Sequence, residues 1–210
     1  MYQPVHFREE RLEILHEAIE HNPFGLLISS GMPDEAPMAD GAPFLLDRTE
    51  GKLGGLRVHL ARANPHWQVL GAHPERKVLV VFQGPQAYVT PSWYETKGQT
   101  GKVVPTWNYV MVQVEGRVIV REDAGWLRSQ VAALTSHHET RRPEPWAVTD
   151  APEDYIAAQL KAIVGLEIDI TSISGKWKVS QNRPEADRAG VAAGMAGEAR
   201  NMALLVGGGS

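Results

Sequence analysis

The amino-acid sequence predicts an α+β chain in which an antiparallel sheet closes into a small barrel and helices decorate it. Three observations carry this. Roughly six or seven runs are apolar or alternate apolar with polar residues, as strands do. Roughly four or five others carry apolar residues at helical spacing. The two kinds are not regularly interleaved, which argues against a parallel, doubly wound sheet.

Taken in order, Arg8 to Asn22 reads as an amphipathic helix, with Leu12, Leu15 and Ile19 at spacings of three and four. Asn22-Pro23 ends it. Phe24 to Ser29 reads as a buried strand, Gly31 to Pro37 as a turn, Ala42 to Leu46 as a second strand and Leu56 to Leu60 as a third. Asn64-Pro65 opens a short helix through Leu70, with Asn at the cap and Pro in the first turn. Lys77 to Phe82 is the strongest strand signal, and Ala87 to Val89 resumes after a Gly84-Pro85 turn. Glu95 to Val104 reads as a Lys/Gly-rich loop that covers a pocket. Thr106 to Arg121 alternates over a long stretch, with Gly116 as a bulge or bend. Asp123 caps a helix running to Glu139. A further helix opens at Ala151-Pro152 and closes at Gly165, and Leu166 to Ile173 reads as a strand. Pro184 starts a last helix. The domain is expected to span residues 1–190, and the Ala/Gly-rich tail, 191–210, to be mobile and without fixed structure.

A chain of 210 residues is long enough to bury a core without staples. It has no cysteine, which excludes disulfides, thiolate catalysis and iron–sulfur ligation. No apolar run is long enough to span a membrane as a helix, and the N-terminal segment lacks a basic-then-apolar leader pattern, so a cytoplasmic protein with no membrane partner is expected. A net charge of −4 gives no basic surplus, so charge does not support DNA as a partner. The pairs His16/His21 and His137/His138 have no third ligand in sequence, and no metal site is expected. No catalytic residue emerges, because nucleophile-elbow, phosphate-loop and metalloprotease patterns are all missing.

Four segments carry candidate chemistry. His59-Leu60-Ala61-Arg62-Ala63-Asn64-Pro65 passes from strand to helix and offers Arg62 to a phosphate, although residue types alone favour Arg62 as a solvated turn residue and Asn64 as a plain cap. Phe82-Gln83-Gly84-Pro85 offers an amide to a uracil-like edge, or is an ordinary strand end. Pro91-Ser92-Trp93-Tyr94 and Pro105-Thr106-Trp107-Asn108-Tyr109 concentrate aromatic rings, which suit a flat ligand, a core or a subunit interface. Lys176-Trp177-Lys178 with Ser180-Gln181-Asn182-Arg183 clamps an anion or forms a solvated edge. Flat rings beside convergent polar groups suit a planar, polar-edged anion, and flavin mononucleotide (FMN) fits that description.

These blocks, together with the opening Met1-Tyr2-x-Pro4-x-His6-Phe7, run in order over about residues 1–190. They resemble the PaiB-like, FMN-binding negative transcriptional regulator family. The resemblance implies a split β-barrel of the pyridoxine-phosphate-oxidase type and a homodimer with FMN at two interfacial sites. By position it implies that Arg62 and Asn64 hold the phosphate, lined by His59, Leu60 and Ala61. Phe82, Gln83 and Gly84 would face the ring, and Trp107, Lys176 and Gln181 would contribute across the dimer. The chain departs from the family pattern at Gln86, where His is usual, and at Asp40-Gly41-Ala42-Pro43, which replaces an Asn/His-Leu-Pro pattern. Three functions follow: a regulator or sensor, a flavin-dependent oxidoreductase acting on a small molecule or reduced nicotinamide, or a cofactor-free barrel serving as an interaction module.

Overall fold

The structure, a computed structural model, describes residues 1–31 and 35–208. The expected turn over 31–37 falls partly on residues 32–34, and the end of the expected tail on 209–210, outside the described residues. Eight strands and seven α-helices are formed among the described residues. The strands are β1 (Arg8–Glu9), β2 (Phe24–Ser29), β3 (Met38–Pro43), β4 (Leu45–Asp47), β5 (Gly55–Ala61), β6 (Lys77–Val89), β7 (Thr106–Arg121) and β8 (Ile163–Lys178). The helices are α1 (Leu12–His21), α2 (His66–Ala72), α3 (Glu95–Thr100), α4 (Ala124–Glu139), α5 (Glu153–Lys161), α6 (Glu185–Met195) and α7 (Arg200–Gly207). Seven strands lie in the order β3-β2-β6-β7-β8-β5-β4, and β1 pairs with β8. The fold is α+β, an antiparallel split β-barrel with flanking helices, as expected.

The chain divides into two compact units whose boundaries fall inside β6, β7 and β8. Unit 1 comprises Met1–His21, Gln83–Gln113 and Ser174–Ser210; unit 2 comprises Asn22–Phe82 and Val114–Ile173.

In unit 2 the alternation of apolar residues places Val58 and Leu60 of β5, Val80 and Phe82 of β6, and Leu166 and Ile168 of β8 in the interior. Phe44 and Phe82 meet edge to face at 5.4 Å, and a Cβ on Gly25 would lie 2.8 Å from the Phe82 ring, so this strand needs glycine there. Gly116 makes similar room on β7: a Cβ would lie 2.5 Å from the Asp169 carbonyl oxygen. Asp123 caps α4 as expected, accepting from the Trp126 amide at 2.8 Å. Gly165 does not close a helix. It lies within β8, and the Trp126 ring packs where its side chain would be.

Glu167 ties β8 to β7 and α4. It accepts from Arg121 Nη2 at 2.9 Å and from Trp126 Nε1 at 3.0 Å. The Arg121 hydrogen bond holds its carboxyl below the ordinary carboxylate value, against the opposing effect of burial. A carboxyl depressed on folding stabilises fully above its unfolded pKa and loses that contribution as pH falls through the folded value. Glu167→Gln is therefore expected to cost about 1 kcal/mol at pH 7. The gap between the urea melts of the two proteins should narrow as pH falls from 7 into the acid range; a gap that stays equally wide would rule out the charged contact.

Unit 1 is built around Val89, Tyr94, Val110, Val191, Met195 and Met202, all buried. Here the expected structureless tail is corrected. α6 and α7 bury Met195, Met202, Ala203 and Val206 into this core. Composition suggested mobility, but Gly190 and Gly194 lie four apart on one helix face, against Trp93. The expected loop over 95–104 is also partly helical: α3 ends at Gly101, whose φ of 68° is a left-handed cap. α1 starts later than expected because Arg8 and Glu9 pair with Lys176 and Gly175 of β8.

Candidate functional site

In β6 the buried positions are Val78, Val80 and Phe82, then Ala87 and Val89. The parity changes between Phe82 and Ala87, across Gly84-Pro85. The expected turn there is instead a slip within one continuous strand. Proline lacks an amide hydrogen, and pairing with β2 ends at Phe82, so Pro85 takes no donor from that ladder. The slip turns Gln83 and Gln86, three residues apart, both outward. On β7 the regular period of two puts Trp107, Tyr109 and Met111 on one face and the buried Asn108, Val110 and Val112 on the other.

These outward residues meet in a cleft of about 490 Å³ in unit 1, whose lining is completed by Met1, Tyr2 and Lys176. Lys176 is 9% exposed. Its ammonium lies 5.5 Å from the Tyr2 ring centre and 5.4 Å from that of Tyr109, and donates to the Tyr2 carbonyl at 3.1 Å. Lys178 braces the same face by donating to Thr106 Oγ1 and, at 2.6 Å, to the Trp107 carbonyl. Burial, followed by repulsion from Lys176 and Arg183, holds the Lys178 ammonium below its ordinary pKa. The turn that ends β8 passes through Ser180 in the left-handed region, φ 64°, and Asn108 Nδ2 donates to its hydroxyl at 2.8 Å.

Of the residues singled out from the sequence, Gln83, Trp107 and Lys176 are brought together in this cleft. Gly84 lies in the slip beside them. Gln181 instead braces its own turn, donating to the Trp177 carbonyl at 2.5 Å and accepting from the Val179 amide at 2.8 Å. The other six belong to unit 2. His59 Nδ1 meets Gln130 Oε1 at 3.0 Å, Leu60 is buried, and Ala61 ends β5 opposite Ile163. Phe82 turns its ring into the core. The Arg62 guanidinium donates to the Lys161 carbonyl at 2.9 Å, Glu122 at 2.5 Å and the Ile163 carbonyl at 3.1 Å, so it ties the end of β5 to β8. Asn64 is not the expected cap, since Pro65 holds that position; its Oδ1 accepts from the His66 amide at 2.9 Å in the turn before α2, while its Nδ2 donates to Asp40 at 2.9 Å. Met1, Tyr2, Gln86, Tyr109 and Met111 complete the cleft; none is among the expected FMN contacts, and the alternation of β7 after Trp107 is the signal for the last two.

Unit 2 also holds a Ser29–His66–Asp40 chain. His66 Nδ1 faces Asp40 Oδ2 at 2.6 Å and so carries the proton, and Nε2 lies 2.8 Å from Ser29 Oγ. The order resembles a hydrolytic triad, but His66 is 0% exposed and the crevice beside Ser29 measures about 10 Å³, too small for a substrate. The chain fastens β2, β3 and α2 together.

Residues 1–172 match the family described as "Putative FMN-binding domain". The chain belongs to this family. It is 37% identical to an uncharacterized protein of Emericella nidulans, over 92% of this chain and 90% of that protein. It is 30% identical to the protease synthase and sporulation protein PAI 2 of Bacillus subtilis, over 89% of this chain and 85% of that one. Among solved structures it resembles the FAD and heme binding protein of Mycobacterium smegmatis, with a TM-score of 0.58 and 17% identity over 81% of this chain and 73% of that chain. It also resembles the conserved protein Rv2991 of Mycobacterium tuberculosis, with a TM-score of 0.59 and 13% identity over 88% and 95%. The two solved structures share the fold alone. The family assignment makes this a flavin-binding split-barrel protein, with FMN as the cofactor. The unit-1 cleft fits that group. Its volume lies within the range of small-molecule sites, and it combines an aromatic face, two amides able to donate and accept, and a cation. No helix of the described residues is long and apolar enough to cross a membrane.

Proposed function

We propose that the protein holds FMN in the unit-1 cleft and works as a homodimeric flavin-dependent regulator or sensor. The observation that carries this reading is the convergence of Gln83, Gln86, Trp107 and Lys176 on one cleft. Trp107 offers an aromatic face, the two amides meet a polar ring edge, and Lys176 supplies positive charge. Bound there, FMN supplies two-electron or hydride transfer. The described lining contains no histidine and no carboxylate, so the chain itself contributes binding and electrostatics. Trp107 is 52% exposed and Tyr88 48%, with ring centres 6.2 Å apart. Exposed rings beside a cleft support a second copy covering this face. The Bacillus subtilis relative, named for protease synthesis and sporulation, supports the regulatory side of the reading.

Trp107→Ala is expected to raise the Kd for FMN about tenfold, within the range measured for aromatic stacking on bases. Flavin fluorescence quenching reads it, and light scattering on the same samples reads the dimer. An unchanged Kd would move the ring out of this cleft, and a wild-type monomer that still binds FMN would remove the dimer. Bleaching of the bound flavin by reduced nicotinamide, without any FMN-dependent binding of promoter DNA, would make the protein an oxidoreductase instead.

A further inference from the structure

Lys176 is a buried cation without a counter-ion. Among the described residues no carboxylate pairs with it; its ammonium is held by a carbonyl and two aromatic rings. The acidic groups that the β1–β8 pairing brings beside Lys176 are committed elsewhere. Glu9 accepts from Arg11 Nε and Nη2 and from the amides of Glu10 and Arg11, and Glu10 pairs with Arg8. Asp187, buried in the same unit, accepts from the amide and hydroxyl of Thr96. Lys178 and Arg183, which follow Lys176 on the strand and its turn, are both positive, and their repulsion adds to burial in depressing the pKa of Lys178. Among the described residues no carboxylate lines the cleft, so Lys176 gives it a positive charge, and partial burial screens that charge less than a surface charge is screened.

A charge of this kind discriminates between ligands that differ in charge. On taking up two electrons and one proton a flavin ring gains one negative charge. We infer that Lys176 sets the redox balance of the site: its uncompensated ammonium makes the cleft hold the reduced, negatively charged ring more tightly than the oxidised, neutral one. This rests on FMN occupying the cleft, as proposed above. Lys176 is then a tuning residue, and its effect appears as a difference between two affinities rather than as affinity alone.

The test compares wild type, Lys176→Met and Lys176→Arg, each reconstituted with FMN after its fold is checked by circular dichroism. Flavin fluorescence gives the Kd for oxidised FMN. An anaerobic titration against a reference dye gives the midpoint potential, with dithionite supplying both electrons and the buffer the proton. Lys176→Met is expected to weaken reduced FMN at least tenfold more than it weakens oxidised FMN. For a two-electron couple that is a fall in potential of about 30 mV or more. Lys176→Arg, which keeps the charge, should restore most of it. An unchanged potential in a Lys176→Met protein that still binds FMN would overturn the inference and leave the cleft assignment standing. Equal loss of both redox forms would also overturn it, because the charge would then serve both alike. If Trp107→Ala and Gln83→Ala leave FMN binding intact, the cleft assignment itself fails, and that result is distinct from either outcome at Lys176. Should Lys176→Met not fold, Lys176→Gln makes the same comparison with a side chain that retains hydrogen bonding.

Discussion

Gly190→Ala is expected to destabilise unit 1, although alanine is the better helix former. Two effects oppose each other. Removing a glycine from a helix interior should gain roughly 0.5–1 kcal/mol. A Cβ at this position, however, would lie 2.1 Å from the Trp93 carbonyl oxygen, a backbone atom that cannot swing aside. Overpacking of that severity costs about 1–3 kcal/mol or more, so sterics should win. For a chain of this size each kcal/mol lost lowers Tm by roughly 2–4 °C. Thermal melts followed by tryptophan fluorescence would measure it. A variant as stable as wild type would mean that α6 does not rest on Trp93.

The second large effect is expected at Asp40. Asp40→Ala removes the acceptor for His66 Nδ1 and for Asn64 Nδ2 together. The orphaned ring nitrogen is fully buried and should cost about 1–3 kcal/mol, with a smaller addition from the half-buried Asn64. Asp40→Asn should fall between, because its carbonyl can accept from His66 only by turning its amide toward another donor. The urea midpoint orders the three proteins. Equal midpoints for Asp40→Ala and wild type would show that the Ser29–His66–Asp40 chain does not hold β2, β3 and α2 together.

Much of this fold was legible because its signals are local. The Asp123 cap, the alternation of β7 and the Asn64-Pro65 helix start each rest on a few adjacent residues. What was misread depends on distant partners. Gly84-Pro85 has the chemistry of a turn, and only the end of β2 pairing at Phe82 explains how the strand continues through it. Gly165 looks like a helix stop until Trp126 is found packed on it. The tail looks mobile until Trp93 is found against Gly190 and Gly194.

The site divides in the same way. Trp107, Gln83 and Lys176 stood out as polar and aromatic residues in short motifs, and they converge. Arg62 stood out as a lone cation at a turn, but residue type could not reveal that Glu122 and two carbonyls already claim its guanidinium. Tyr2 belongs to the opening motif, but its place beside Lys176 is not legible there, because it depends on the pairing of β1 with β8.

The phase change in β6 couples two properties that most proteins can vary separately. The step from Phe82 to Ala87 is odd, so strict alternation at the present length would turn Ala87 and Val89 to solvent and drive Gln86 and Tyr88 inward; the change of phase keeps the apolar pair inside while Gln83 and Gln86 both face out. Substitutions can therefore retune the ligand-facing amides one at a time, but any change that straightened this segment at its present length would exchange the polar wall of the cleft for the oily interior behind it.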